Sequence, residues 1–448
     1  MAVAMSPTDL YVHAFESLQK DFDGGAPLWL HRTREAAISR FRELGFPTTK
    51  AEAWKYTNVA PITKVPFQPV PGAEPHGVAG EAVDLYTFGV LKCSQLVFIN
   101  GRFAPRLSYL RWLPEGVRVR SLSEVLEKDA RSLEPHLGRV AALDGNPFTA
   151  LNTAFMQEGA FIHVPSGRVV EEPIHLLFVS ASRKEPAVSY PRNLVVLAEN
   201  SQATVIESYA GLDRGLYFTN AVTEVVVGPG AVLDHYKMQR ESESAFHVAT
   251  MAVHQDRSSR VACNSISLGG ALARNDVNAI FKGEGGELDL NGLYAVAGQQ
   301  HVDNHTWIDH ARPNCTSREL YKGILDGKSR GIFNAMIFVR KEGQKTNARQ
   351  TNKNLLLSND AFVDSTPGLE ILADDVRCSH GSTIGQLDEN AIFYLRSRGI
   401  DEEAARSLLT YAFASELINQ VKVASMRIKL DQLILSRLPR ADTVKEAV

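Results

Sequence analysis

The sequence lacks the motifs that mark a self-contained metal or nucleotide site. It contains no CxxC pair and no HExxH helix, which are common sources of ligands for closed or catalytic zinc sites. It also lacks a GxxxxGK[ST] phosphate loop, so we expect no ATP site in this chain. Metal or nucleotide chemistry would therefore depend on a partner.

Long apolar runs and strong charge are also missing. The 448 residues contain nothing close to the ~20 consecutive apolar residues of a membrane span. Met1–Leu10 has neither the basic nor the apolar region of a signal peptide, which predicts a cytoplasmic location. A net charge of −3 argues against nucleic-acid and anionic-membrane partners. Charged residues make up 22% and hydrophobic residues 44%, values typical of a globular protein.

Cysteine is scarce and widely spaced. The four cysteines are Cys93, Cys263, Cys315 and Cys378. This spacing in a large chain indicates free thiols in a reducing compartment rather than a disulfide framework. For most of them the simplest role is that of a small buried apolar residue.

The chain divides into five segments that differ in composition and in the periodicity of their apolar residues. They are predicted to be an N-terminal helical domain (1–64), a proline-rich linker (65–82), a mixed α/β region (83–159), a β-helix core (160–380) and a C-terminal helical domain (381–448). In the first, Ser6 caps a helix, and a second helix runs from about Trp29 to a stop at Gly45. Helices are also predicted to begin at Ser121 and Asn146. The N-terminal segment has no nucleophile–base pair, which favours a structural or docking role.

The central segment predicts a mainly β fold. Between Ala160 and Leu372 the chain is divided into short runs rich in Val, Ile and Phe, and the runs begin at intervals of about 14 residues. Such a regular pitch is typical of a right-handed parallel β-helix with two strands per coil. A β-sandwich is the alternative, because short strands with glycine turns suit it as well.

Histidines within this region suggest one enzyme hypothesis. His301, Asp303 and His305 alternate onto one face of a predicted strand, and His310 follows five residues later. A cupin-like metal-dependent enzyme would use His301, His305 and His310, although cupin ligation needs a histidine on a distant strand of a closed barrel. The other interpretation is a polar outer face.

Carboxylates suggest a second, weaker enzyme hypothesis. Glycoside-cleaving β-helices use clustered acids, and Asp289, Asp303, Asp309 and Asp326 are the candidates. Only Asp289 and Asp303 keep a spacing that fits the repeat. Acids at repeat positions more often form turns or a solvated face.

Residues 374–380 carry the strongest candidate ligands. On a strand, Asp374, Val376, Cys378 and His380 would share one face, so that thiol and imidazole approach one metal or cluster from the same side. Two residues supply only half of a closed site. We therefore expect a transient half-site that a partner completes.

The C-terminal segment predicts two helices. Asp401 caps the first, whose apolar positions recur every four residues from Ala405 to Val421, and Leu430–Leu438 belong to the second. We expect the apolar face both to pack on the N-terminal helices and to bind a partner.

Several stretches resemble one known family. The run CSHGSTIGQLDENAIFYLRSRGI (378–400) is similar to the C-terminal motif of the SufB/SufD family of iron–sulfur cluster assembly proteins. Further similar stretches are EAWKYT (52–57), LNTAFMQEGAFIHVP (151–165), GPGAVLDHY (228–236) and HVDNHTWIDHARPNCTSRELYKG (301–323). Cys378-Ser379-His380-Gly381 stands where the SufB branch carries an acidic, cysteine-free sequence, so the chain resembles the SufD branch.

The resemblance implies a fold, a function and partners. It implies a β-helix and a non-enzymatic scaffold that pairs with a SufB-like paralogue and binds a SufC-type ATPase through its C-terminal helices. A transient iron–sulfur cluster would form at the paralogue interface, where His380 matches the family's histidine and Cys378 is a weaker neighbour. In isolation the chain would form a homodimer. The residues predicted to bind partners are Phe393, Tyr394, Arg396, Arg398, Gly399 and Phe413.

Overall fold

The computed structural model describes residues 5–23, 26–70, 78–89, 91–181 and 183–447. Part of the predicted proline-rich linker, including Pro71 and Pro75, lies outside these residues.

Helices flank a large β region. The helices are α1 (Pro7–Asp23), α2 (Leu28–Leu44), α3 (Ala60–Thr63), α4 (Gly80–Asp84), α5 (Leu122–Asp129), α6 (Pro147–Phe155), α7 (Glu389–Ser397), α8 (Glu402–Ile418), α9 (Ala424–Leu435) and α10 (Ala441–Ala447). Among the described residues, no helix is both long and apolar enough to cross a bilayer.

The strands follow one another with only short loops between them from Arg192 onwards, whereas helices separate several of the earlier strands. They are β1 (Gln68–Pro69), β2 (Ser94–Ile99), β3 (Arg102–Phe103), β4 (Arg118–Ser121), β5 (Ala160–Val164), β6 (Ile174–Ser180), β7 (Ala187–Ser189), β8 (Arg192–Leu197), β9 (Gln202–Gly211), β10 (Tyr217–Val227), β11 (Val232–Arg240), β12 (Phe246–Gln255), β13 (Arg260–Ser267), β14 (Leu272–Phe281), β15 (Glu287–Val296), β16 (His301–His310), β17 (Thr316–Leu325), β18 (Arg330–Val339), β19 (Asn347–Leu356), β20 (Phe362–Ile371) and β21 (Arg377–Gly385).

From β8 onwards, successive strands alternate between two sheets. Sheet A runs β20-β18-β16-β14-β12-β10-β8-β5-β4, and sheet B runs β21-β19-β17-β15-β13-β11-β9-β6-β2-β3. His301 pairs with Leu272 on one side and with Arg330 on the other, so each coil here takes 29 residues. The strands of the coils pair in parallel, and the result is a solenoid of about seven turns. The prediction of a parallel β-helix with two strands per coil is therefore confirmed, and the β-sandwich alternative is wrong.

Side-chain alternation divides each strand between an inner and an outer face. On β16, Val302 and Ile308 join the core inside the solenoid, whereas His301, Asp303 and His305 point outwards. The shared face predicted for these three residues is therefore confirmed. Burying a Val, Leu or Phe side chain contributes about 1.5–3 kcal/mol, so the inner core supplies much of the driving force for folding.

The N-terminal helices pack on the outer face of sheet A. Phe41 of α2 and Phe148 of α6 share a buried cluster with Phe218 and Phe246 of sheet A. The predicted helix starts are confirmed, since the Ser6 hydroxyl accepts from the Asp9 amide and Asn146 accepts from the amides of residues 148 and 149.

The C-terminal helices pack on the outer face of sheet B. Ile418 and Leu430 lie in one cluster with Ile266 and Leu293. The expectation that this apolar face packs on the N-terminal helices is wrong, because the solenoid separates the two helical groups. The two helices and the Asp401 cap are confirmed, and Asp401 accepts from the Ala404 amide at 3.0 Å.

Candidate functional site

The two ends of the solenoid differ. At the start, short antiparallel strands border the coils: β3 pairs with β2, and β4 pairs with β5. At the other end, in the described chain, β20 pairs only with β18 and β21 pairs only with β19. One backbone edge of each terminal strand is therefore left without a strand partner. Edge strands of this kind are ready templates for pairing with another chain.

Apolar side chains stand on this open end. Phe362, Leu372 and Ile384 are 47%, 54% and 48% exposed. Solenoids usually end in polar caps, and exposed apolar groups beside an open edge are typical of a protein–protein interface. We call this end, comprising β20, β21 and residues 372–376 between them, the open end.

Cys378 and His380 lie on the open end, on the same side of β21. In the parallel register Cys378 neighbours the buried Ala348, and His380 neighbours Gln350. Both side chains therefore point to the inner side of the solenoid, and their predicted common face is confirmed. The strand begins at Arg377, so Asp374 and Val376 lie before it and the expectation that they share the strand face is wrong. The Asp375 carbonyl instead accepts from the Lys345 amide in a turn.

The two residues differ in environment. Cys378 is half-buried against the inner core, and burial raises the pKa of its thiol. His380 is exposed and borders an open cleft of about 370 Å³ together with Gln350, Asn352 and Ser382. Imidazole is thus the accessible ligand, while the thiol needs a larger change of environment to ionise.

No closed metal site forms within the described part of the chain. No group of three or more His, Cys, Asp or Glu side chains is arranged to hold an ion there. The four cysteines are free thiols, as predicted, and three of them are buried. Cys378 and His380 therefore stand at the open end with no third His, Cys, Asp or Glu side chain arranged to complete a site among the described residues.

The histidines of the cupin-like hypothesis do not converge. His301 and His305 point out of the solenoid, whereas His310 points inwards and its Nε2 lies 2.9 Å from the Ser317 hydroxyl. Burial lowers the pKa of His310 to about 3. A separation of five residues puts His305 and His310 on opposite strand faces, so the three cannot bind one metal and the hypothesis is wrong.

The hypothesis of a glycoside-cleaving carboxylate cluster is also wrong. Asp289 lies on sheet B, where it pairs with Arg318, and Asp303 lies on sheet A. The two acids keep the spacing of the strands but fall in different sheets, because neighbouring strands in sequence belong to opposite sides of the coil.

Asp303 instead anchors the N-terminal region, a role that sequence reasoning missed. It accepts from Arg274 at 2.7 Å and from the Thr57 hydroxyl at 2.6 Å, and the Arg274 guanidinium lies 3.7 Å from the centre of the Trp54 ring. Burial would raise the pKa of Asp303, but Arg274 and His305 outweigh it and hold the pKa well below its usual range. The sequence held one sign of this contact: the stretches EAWKYT (52–57) and HVDNHTWIDH (301–310), which contain Thr57 and Asp303, both resemble family motifs.

The predicted partner-binding residues divide into exposed and packed groups. Phe393 and Tyr394 on α7 are 72% and 56% exposed, and the Arg398 guanidinium lies 5.2 Å from the centre of the Tyr394 ring. Arg396 forms an ion pair with Glu402 at 3.3 Å. Gly399 ends this segment with φ +89, a conformation that favours glycine and turns the chain towards α8.

Phe413 has a different position from the rest of this set. It packs against clusters that join α8 to sheet B, and its carbonyl accepts from Lys322 Nζ at 2.7 Å. The Lys322 ammonium also lies 4.3 Å from the centre of the Phe413 ring. Phe413 therefore holds α8 on the solenoid.

Fold and site together define a solenoid scaffold, in which candidate ligands stand on an open sheet end instead of in an enclosed pocket. Comparison with known proteins gives the family. Residues 178–413 match the SufBD core domain of the SUF system for FeS cluster assembly, and residues 5–176 match the SufBD protein N-terminal region. The chain therefore belongs to the SufBD family of iron–sulfur cluster assembly proteins, as its motifs predicted.

Relatives from three organisms cover most of the chain. The iron–sulfur cluster assembly SufBD family protein slr0076 of Synechocystis is 34% identical over 90% of each chain. The iron–sulfur cluster assembly protein SufD of Escherichia coli is 33% identical over 90% of this chain and 92% of its own. The chloroplastic protein ABCI7 of Arabidopsis thaliana is 30% identical over 90% of this chain and 86% of its own.

Proposed function

We propose that this chain is a non-enzymatic scaffold subunit that pairs with a SufB-like paralogue through the open end of its solenoid. A nascent iron–sulfur cluster, the cargo of the complex, forms between the two subunits. His380 supplies a ligand to it from this chain, with Cys378 beside it. The observation that carries the proposal is the position of His380 on an end that is open, partly apolar and lacks a strand partner in the described chain.

The chemistry of the two side chains supports a transient site. Imidazole is a borderline ligand that holds iron or a cluster less tightly than a thiolate, which suits a site that must release its product. An incomplete ligand set prevents one subunit from retaining the metal. The paralogue supplies the remaining ligands when the two ends meet.

The proposal includes a second partner and a location. A SufC-type ATPase binds α7 and α8, where Phe393, Tyr394 and Arg398 form an exposed surface. The ATPase supplies the nucleotide site that this sequence lacks. Four free thiols support a reducing location, the cytoplasm of the cell.

Variants of the open end test the pairing. Ile384→Lys and Leu372→Lys place a charge among the apolar groups at the end of the coils, so a stable complex with the paralogue should be lost in size-exclusion chromatography. Ile428→Lys, an equally exposed apolar position on α9, is the matched control and should leave pairing intact. Wild-type complex formation by the end variants would refute the proposed interface.

The isolated chain offers a further measurement. Without the paralogue, the same open end should pair with a second copy, so sedimentation should show a dimer that Ile384→Lys converts to a monomer. A dimer that survives Ile384→Lys but not Ile428→Lys would place the interface on the C-terminal helices.

A further inference from the structure

Inside the last coils, a column of polar side chains leads away from His380. His380 neighbours Gln350 in the register of sheet B, and Gln350 neighbours Glu319. Gln350 and Glu319 are both buried, and the Gln350 amide donates to Glu319 Oε2 at 2.8 Å. The column therefore connects the cleft at the open end with a carboxyl group deep inside the solenoid.

Sheet A contributes polar groups to the same region. Thr306 and Asn304 lie on the inner face of β16, and both are buried. The Thr306 hydroxyl lies near the Glu319 carboxyl and lowers its pKa, but the geometry of this contact falls short of a direct hydrogen bond. Asn304 Oδ1 accepts from the Asn275 amide at 3.2 Å.

Four buried atoms of this group have no hydrogen-bond partner among the described residues. They are Glu319 Oε1, Gln350 Oε1, Thr306 Oγ1 and Asn304 Nδ2. A buried polar atom left without a partner costs about 1–3 kcal/mol. Native proteins satisfy such groups with ordered water, which donates two hydrogen bonds and accepts two. Acceptors, a hydroxyl and an amide donor together match what water requires.

We infer that Asn304, Thr306, Glu319 and Gln350 form a buried water-binding site, and that its waters carry protons between the Glu319 carboxyl and the cleft in front of His380. The ligand of this site is water. Glu319 is a proton-exchanging residue that acts through water, at a distance from the cluster itself.

The surroundings of Glu319 favour proton exchange near neutral pH. Burial raises the pKa of Glu319 to about 7, although Thr306 and Gln350 lower it. The ionisable side chains that share the interior on the neighbouring strands are Tyr294, Tyr321 and His310, and burial keeps all three neutral at pH 7 by raising the pKa of the phenols and lowering that of the imidazole.

Charged groups lie farther away. Lys237 on β11 is an interior cation, three strands from β17 in sheet B, and its ammonium donates to Asn275. His380 lies on β21, two strands away on the other side. Among the described residues, the inner faces of the adjoining strands β15 and β19 carry no charged side chain that would fix the Glu319 carboxyl in one protonation state.

Cluster formation releases protons that Glu319 can accept, and this part of the inference rests on the proposed function. A thiol that binds Fe(II) loses its proton, so that R–SH and Fe(II) give R–S–Fe(II) and H⁺ with no change of oxidation state. The carboxylate of Glu319 accepts that proton through the waters and becomes a carboxylic acid. Bulk solvent would be shielded from the site once the paralogue covers the open end.

Infrared spectroscopy of the isolated full-length chain tests the protonation without any cluster. The C=O stretching band of a protonated carboxyl should lose intensity as pH rises through about 7 and should shift in D₂O. Burial also raises the pKa of Glu158 to about 7, so the measurement is made in a Glu158→Gln background. In that background Glu319→Gln keeps the shape of the side chain and should lack the titrating band. Glu287→Gln, on the exposed face of sheet B, is the matched control and should retain it.

Two results would overturn the inference. One is a titrating band that persists when Glu319→Gln is combined with Glu158→Gln. The other is a high-resolution crystal structure that shows no water bound to Glu319 Oε1 or Thr306 Oγ1. Gln350→Leu is the second variant: it removes the amide between Glu319 and the cleft, and it should slow deuterium exchange of the band.

Reconstitution of the complex separates this inference from the proposed function. Wild-type assembly should speed up as pH rises through about 7, and Glu319→Gln should lose this rise while His380→Ala loses assembly at every pH. Normal assembly by His380→Ala refutes the proposed function and leaves the infrared result standing. A pH profile unchanged in Glu319→Gln refutes the proton-exchange role alone.

Discussion

At the scale of single residues, His380 and Cys378 share a face but have different surroundings. His380 is exposed and makes few packing contacts, whereas Cys378 touches the inner core. A change at His380 should therefore act on ligand chemistry, and a change at Cys378 should act on both chemistry and packing.

His380→Ala should abolish cluster assembly while leaving the fold and partner binding intact, and Cys378→Ser should be milder. The stability cost of His380→Ala should stay within about 1 kcal/mol, since no cavity is created. Anaerobic reconstitution of the purified complex with iron and sulfide, followed by visible absorbance, measures the effect. His13→Ala, an exposed histidine on α1, is the control. Assembly at the wild-type rate and yield by His380→Ala would show that the histidine is not a ligand.

The buried carboxyl of Glu319 should make the free energy of unfolding depend on pH. The pKa of Glu319 is raised in the folded state, so its contribution to stability is fully present below the unfolded pKa and is lost as pH rises through about 7. Between about pH 5 and pH 8, Glu319→Gln should gain about 2–3 kcal/mol in unfolding free energy relative to the wild type.

Urea unfolding at the two pH values measures this difference. Glu287→Gln provides the baseline for the loss of an exposed carboxylate. A difference between wild type and Glu319→Gln that is the same at both pH values would mean that the carboxyl titrates alike in folded and unfolded chains.

At the scale of elements, α7 and α8 have separate roles. Phe413 and Lys322 hold α8 on sheet B, whereas Phe393 and Tyr394 project from α7 into solvent. A binding test directed at Phe413 would mix loss of the partner with loss of packing. The exposed aromatic pair on α7 is the cleaner target.

Phe393→Ser combined with Tyr394→Ser should weaken binding of a SufC-type ATPase by at least tenfold, about 1.4 kcal/mol, because exposed aromatics are frequent interface anchors. The thermal unfolding midpoint should hardly change, since neither side chain is buried. Isothermal titration calorimetry measures the affinity for the ATPase. Ile428→Ser on α9 is the control and should bind as tightly as the wild type. Equal affinity for the double variant and the wild type would exclude α7 as the binding surface.

At the scale of the whole molecule, the solenoid is covered on both sheets and open at one end. The N-terminal helices cover sheet A and the C-terminal helices cover sheet B. Arg274 connects the N-terminal region to the coils through Asp276, Asp303 and the Ala53 carbonyl. This contact joins residues that are more than two hundred positions apart in sequence.

Arg274→Met should destabilise the protein by about 3–5 kcal/mol, because it removes the guanidinium that pairs with the buried carboxylates of both Asp303 and Asp276. Arg260→Met is the matched control: its ion pair with Glu287 is partly exposed, so its loss should cost no more than about 1 kcal/mol. Urea unfolding of the two variants gives the comparison. Similar losses for both would show that the buried network adds no more than a surface pair.

Local sequence determined several features. The interval of about 14 residues predicted alternate strands because each half-coil needs one strand and one turn, and alternation along the strand placed Cys378 and His380 on one face. Ser6, Asn146 and Asp401 marked helix starts because a cap acts on amides two or three residues away.

Tertiary structure decided what lies beside each strand. The alternation of side chains along a strand shows which residues share a face. Only the stacking of the coils brings Glu319 beside Gln350 and puts Asp289 and Asp303 in different sheets. It also decided that the C-terminal helices cover sheet B and that Thr57 bonds to Asp303. These contacts join distant parts of the chain, and their energies depend on burial and register that no local pattern contains.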